Sequence, residues 1–179
     1  MAFNLIKKYN QHLEIDHLSV RERTKELKEI FDRDISNNDK FLFRKKVIRP
    51  LKKEGIIDIE SLFKHLTHKS ENESYKRGVV IKSRNIFDIQ RSKRLHWILP
   101  HIEEKIDDDV SLFSANNRIR GKNIIRTYLF NKKEEYVIIL EPQRSGMDYY
   151  LITAYYLEKK YGGPKSIGKK YKNRLPQVY

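Results

Sequence analysis

Hydrophobic positions recur at helical spacing through the first 78 residues and at strand spacing near the far end of the chain. Ser19-Val-Arg-Glu22 has the spacing of a capping box, in which the Ser hydroxyl and the Glu carboxylate satisfy orphan amides at a helix start. Leu27, Ile30 and Phe31 follow on one helical face. Phe41, Val47, Ile48 and Leu51 line a second helix, which Pro50 should end or kink. Asp58 caps a third, with Ile59, Leu62, Phe63 and Leu66 on its apolar side. The polar run Ser70-Glu-Asn-Glu-Ser-Tyr-Lys-Arg-Gly78 reads as a linker.

Beyond it, Val79-Val-Ile81 predicts a short strand, and Asp88 caps a helix over residues 88–105. Ile89, Leu95, Ile98, Leu99 and Ile102 of that helix face inward with Trp97, and Pro100 interrupts it. Residues 107–109 and 114–117 read as loops. Three β-rich runs follow, at 126–130, 136–140 and 149–156, with turn-like stretches at 131–134 and 142–146. The pattern predicts an α+β protein in two parts. A helical N-terminal region, 1–78, precedes a domain of residues 79–179, in which a small antiparallel sheet packs against one or two helices and ends in a basic tail.

Charge adds a partner to this picture. Lys and Arg number 38 against 24 Asp and Glu, a formal +14. Residues 1–78 hold 18 basic and 13 acidic side chains, and residues 79–179 hold 20 and 11. Such an excess points to a polyanion, nucleic acid or an anionic surface. No apolar run reaches the ~18 residues of a membrane span, and the apolar stretch at the N-terminus is too short for a signal peptide. The chain has no cysteine, which excludes thiol chemistry, disulfides and Cys-ligated zinc and fits a cytoplasmic protein.

The candidate chemistry lies in the second part. Cutting RNA without a metal requires a base for the 2′-hydroxyl, an acid for the leaving oxygen, and cations or hydroxyls around the phosphorane. His96 and His101 sit on the helix before the sheet, and five residues apart they do not share a face. His65 and His68 read as surface residues. Alternation places Arg126, Tyr128 and Phe130 on one face of their strand, and Tyr149, Leu151, Thr153 and Tyr155 on one face of theirs. Thr153 then offers a hydroxyl, and Tyr128 or Tyr155 a ring on which a base could stack. Arg94, Arg118, Arg120 and Lys122, with Lys169, Lys170 and Lys172 of the tail, form basic runs that track a phosphate backbone. No metal site and no cofactor is expected. Asp148 and the Glu158-Lys-Lys160 run lie at opposite ends of one strand, roughly 30 Å apart at ~3.3 Å per residue.

The stretches Phe87-Asp-Ile-Gln-Arg-Ser-Lys-Arg-Leu-His-Trp-Ile98, Tyr136-Val-Ile-Ile-Leu-Glu141 and Leu151-Ile-Thr-Ala-Tyr155 resemble the barnase/EndoU/colicin D/RelE-like superfamily of small RNases, closest to phage- and mobile-element-associated members. The resemblance covers about residues 85–175. It implies helices packed on a four-stranded antiparallel sheet, with a His, a cation and a hydroxyl converging on the scissile phosphate. By position these are His96 or His101, Arg126 and Thr153, with Tyr155 as a further candidate. The expected function is a toxin-like, metal-independent endoribonuclease acting on tRNA or mRNA, with an acidic antidote protein as a possible partner. The alternatives are a non-catalytic DNA- or RNA-binding protein and an adaptor for an acidic protein.

Overall fold

A computed structural model describes residues 3–50, 52–53, 56–70, 74–76, 79–81, 85–119, 121–143, 146–159 and 162–179. Helix α1 (Val20–Phe31) starts at Ser19 with the capping box formed in both directions, and a π-helical turn, Asp32–Ser36, continues it. Strands β1 (Leu42–Phe43) and β2 (Lys46–Pro50) form a hairpin next. β3 (Lys52–Lys53) pairs with β4 (Ile56–Ile57) ahead of α2 (Ile59–Thr67), whose cap is Asp58, accepting from the Ser61 amide at 2.8 Å. Three short strands follow, β5 (His68–Lys69), β6 (Ser74–Lys76) and β7 (Val79–Ile81), then β8 (Ile86–Phe87). β5 pairs with β8, and β6 with β7. Asp88 caps α3 (Ile89–Ser92); a 3-10 turn, Leu95–Trp97, leads into α4 (Ile98–Ile102). Four long strands close the domain, β9 (Val110–Ile119), β10 (Lys122–Asn131), β11 (Tyr136–Pro142) and β12 (Asp148–Tyr156), followed by α5 (Gly163–Lys172).

The main sheet has six strands in the order β1-β2-β12-β11-β10-β9. Every pair is antiparallel except β2 with β12, where Val47 to Pro50 run beside Asp148 to Leu151. This corrects the expectation of a helical N-terminal region followed by a small antiparallel sheet. The first 78 residues supply two strands of the central sheet, one of them in a parallel pair. The error lies at residues 41–51, read as a helix. Arg44 and Lys45 both take positive φ, 49° and 68°, in the tight turn that a two-residue hairpin uses. The β-branched pair Val47-Ile48 then extends as a strand, and Pro50 sits at its end, where its missing N–H costs little. The basic tail is also more ordered than expected, since α5 lies within it.

Each face of the sheet carries its own core. On one face Leu129, Tyr136, Ile138, Leu140, Tyr149, Leu151 and Ala154 pack against α1, α2 and the α3–α4 segment through Leu27, Phe31, Leu66, Trp97 and Ile98. On the other, Phe113, Tyr128, Phe130, Val137, Ile139 and Ile152 pack with Leu157, which follows β12, and with Ile167 of α5. Side chains from both sides of the expected linker share the first core; residues 71–73 and 77–78 of that linker lie outside the described residues. No helix among the described residues is long and apolar enough to cross a membrane.

Candidate functional site

The face roofed by α5 carries two cations, Arg126 and Lys170, with Glu141 and Asn117 as their partners. Strand register sets the first pair. β10 and β11 pair so that Thr127 lies opposite Leu140 and Arg126 falls beside Glu141. Arg126 Nε stands 3.6 Å from Glu141 Oε2, and both side chains are about three-quarters buried, each 23% exposed. That Nε makes no hydrogen bond within the described residues. One strand further, Glu141 lies opposite Tyr150 of β12.

Helix α5 supplies the second cation. Ile167 is buried against the sheet and the Tyr171 ring meets Phe113 edge-on at 5.2 Å, which turns Lys170 toward the strands. Its Nζ donates to Asn117 Oδ1 at 2.6 Å, and the Tyr128 hydroxyl donates to the same oxygen at 2.8 Å. Burial, reinforced by the Arg126 charge, pushes the Lys170 ammonium below the ordinary lysine range. Arg126 and Lys170 are thus close enough to oppose each other's charge, with Glu141 beside them. Two partly desolvated cations on one face favour an anion between them. Burial raises the Tyr155 phenol, and the charges of Arg91 and Arg126 oppose that rise, which places Tyr155 at the border of the same cluster.

No match was found among family models, curated proteins or solved structures. The assignment of the site therefore rests on its own geometry.

The structure brings together some of the expected site residues and separates others. Arg126, Tyr128, Tyr155 and Lys170 share the roofed face. Tyr128 is only 1% exposed and stacked on Phe113 at 5.0 Å, so its ring is core and its hydroxyl alone serves the site. Thr153 lies at the β12 edge beyond β2. Its hydroxyl donates to the His65 carbonyl at 3.3 Å and accepts from Arg91 Nη1 at 3.4 Å, which ties it to α2 and α3. His65 itself, expected at the surface, lies half-buried beside the Ile152 carbonyl.

His96 and His101 belong to the helical face. His96 Nε2 is 3.2 Å from the Lys8 carbonyl, and His101 lies against Tyr136 with its Nδ1 2.7 Å from the Trp97 carbonyl. Burial pushes both down to about 4. Neither reaches Arg126. Arg94 is also buried there, bonded to the Gln90 carbonyl at 2.7 Å and lying over the Tyr156 ring. Arg118, Lys122, Lys169 and Lys172 are exposed, and Arg120 lies outside the described residues.

Sequence reading missed Glu141 and Asn117. The signal for Glu141 was available: the turn between β10 and β11 fixes a register that sets Arg126 against it. Asn117 lay in a stretch read as a loop, where β9 in fact runs for ten residues.

Proposed function

We propose that this protein is an endoribonuclease that needs no metal for its chemistry and works from the α5-roofed face of the sheet. The observation that carries this reading is the pairing of Arg126 with Glu141 beside Lys170. Those three groups supply the charges and proton carriers that RNA transesterification requires. The scissile phosphate is held by Arg126 and Lys170. The Glu141 carboxylate takes the proton of the 2′-hydroxyl as O2′ attacks phosphorus. The bond from phosphorus to O5′ breaks, and the Lys170 ammonium gives its proton to O5′. The products are a 2′,3′-cyclic phosphate and a 5′-hydroxyl end. The lowered basicity of Lys170 makes it a stronger acid than an ordinary lysine, as proton donation to O5′ requires. RNA is the polyanion this chemistry selects, because DNA has no 2′-hydroxyl to attack. An acidic protein covering the same face would be its natural inhibitor.

The test is cleavage of total cellular RNA in EDTA. Arg126→Ala, Glu141→Gln and Lys170→Ala are expected to lower the rate by 10²-fold or more, on the scale of lost acid–base and phosphate contacts. His96→Ala and His101→Ala, each judged per folded molecule, should leave it unchanged. A second reading draws on the burial of both helix histidines away from the site: the face binds nucleic acid without cutting it. Intact RNA together with salt-sensitive binding that Arg126→Ala abolishes would decide for that reading.

A further inference from the structure

The pairing of β12 with β11 contains one irregularity. Leu151 lies opposite Leu140 and Thr153 opposite Ile139, so Ile152 is an extra residue without a partner. A bulge of this kind shifts the alternation of the strand by one position and re-aims the side chains beyond it. Tyr150 and Tyr155 are five apart and would point to opposite faces of a regular strand. Here both pack against the core beneath α5, on the side of Arg126 and Glu141. Tyr150 lies opposite Glu141, and Tyr155 opposite Val137. Both rings are half-buried, leaving part of each open to solvent, whereas Tyr128 on the same face is closed off.

We infer that Tyr150 and Tyr155 are two base-stacking platforms on β12, Tyr150 level with the Arg126–Glu141 pair and Tyr155 four ladder steps along the strand, and that the ligand of this face is single-stranded RNA. The inference rests on the reading of this face as an RNA site. With the bulge taking up one residue, four ladder steps separate the two tyrosines, about 13 Å at ~3.3 Å per step. Neighbouring nucleotides in a stacked helix are only ~3.4 Å apart along the axis. A duplex keeps its bases stacked on one another and offers none to either ring. A single strand can splay its bases outward and place one on each platform, with the phosphates beside the Tyr150 platform facing the Arg126–Glu141 row. Arg91 supports the farther platform. Its guanidinium carbon lies 5.3 Å from the Tyr155 ring centroid, and its Nη1 donates to the His65 carbonyl at 2.6 Å.

The experiment is fluorescence anisotropy with short, uncleavable 2′-O-methyl oligonucleotides. One is single-stranded, one is its duplex, and one has the same backbone without bases. The single strand should bind at least tenfold more tightly than the abasic strand, the scale of one or two stacked bases at ~1–3 kcal/mol each. Tyr150→Leu and Tyr155→Leu should each remove about tenfold from that preference, while Tyr150→Phe and Tyr155→Phe retain it and serve as folding controls. Equal affinity for all three probes, with binding still abolished by Arg126→Ala, overturns the stacking inference and leaves the phosphate site standing. If no probe binds in a salt-dependent way, the reading of the face as an RNA site falls, and the platforms fall with it.

Discussion

The buried histidines are defined by what they bond to. His101 donates from Nδ1 to the Trp97 carbonyl, since its Nε2 faces the Asn131 amide nitrogen at 3.2 Å and must accept there. The two hydrogens of that Asn131 nitrogen are shared with the Tyr9 hydroxyl at 2.7 Å and Asp108 at 3.1 Å, and Tyr9 donates to Asp108 in turn. A proton arriving at His101 would face the Asn131 N–H group with no acceptor. His96 and His101, 4% and 1% exposed, are both held down to about 4 from an unfolded value near 6.5. Above pH 6.5 both states carry neutral rings and the fold keeps its full stability. As pH falls below 6.5 the unfolded chain takes up protons that the folded chain refuses, and stability declines until the folded rings titrate near 4. The loss is on the order of 3 kcal/mol for each ring at the acid end. Burial lowers His12 and His68 as well, so both add to the decline in the same direction. Asp108, held down to about 2 by hydrogen bonds from Tyr9 and Lys133, loses its contribution only below that window. Urea denaturation at steps from pH 7 to pH 4 measures the slope. Replacing His101 by Gln should flatten it, and an unchanged slope in that variant would refute the assignment.

Two elements carry more than their length suggests. Helix α1 depends on its capping box: the Glu22 amide bonds Ser19 Oγ at 3.3 Å, and Glu22 Oε2 receives the Ser19 amide at 3.0 Å. Ser19→Ala should cost about 1 kcal/mol by loss of that cap, measured as a lowered denaturation midpoint with unchanged slope. Helix α5 is held to the sheet mainly through Ile167, 1% exposed, and it positions Lys170. Ile167→Ala should cost ~2–4 kcal/mol through the cavity it leaves. RNA cleavage should fall further than the unfolded fraction accounts for, because Lys170 loses its anchor. At this scale the sequence was informative where local rules act alone. Ser19, Asp58 and Asp88 all cap helices as their spacing implies, and the three apolar runs after residue 125 are strands. It misled at residues 41–51, where apolar spacing fits a helix and the Arg44–Lys45 turn that makes a hairpin needs positive φ at residues with no preference for it.

For the molecule as a whole, the parallel pairing of β2 with β12 joins residues 101 positions apart. Phe43, fully buried, meets Tyr149 edge-on at 5.6 Å across that junction. Stability is therefore shared across the expected linker. Trp97 fluorescence and far-UV circular dichroism should report one coincident unfolding transition. Phe43→Ala should lower it as a unit by ~3–5 kcal/mol. Two separated transitions would show that the halves fold independently.

The sequence by itself determined the helix caps, three of the four long strands of the second half and the net positive charge. Those features follow from neighbours a few positions apart, or from composition, and local physics is enough to set them. Tertiary structure alone decided which groups meet. It buried His96 and His101 on the helical face, brought Lys170 across from a helix, and turned Tyr150 and Tyr155 to one face through a single unpaired residue. A one-residue shift in strand pairing moves every later side chain to the other face. The pairing that fixes such a shift is a property of two strands together, and one strand's sequence does not contain it.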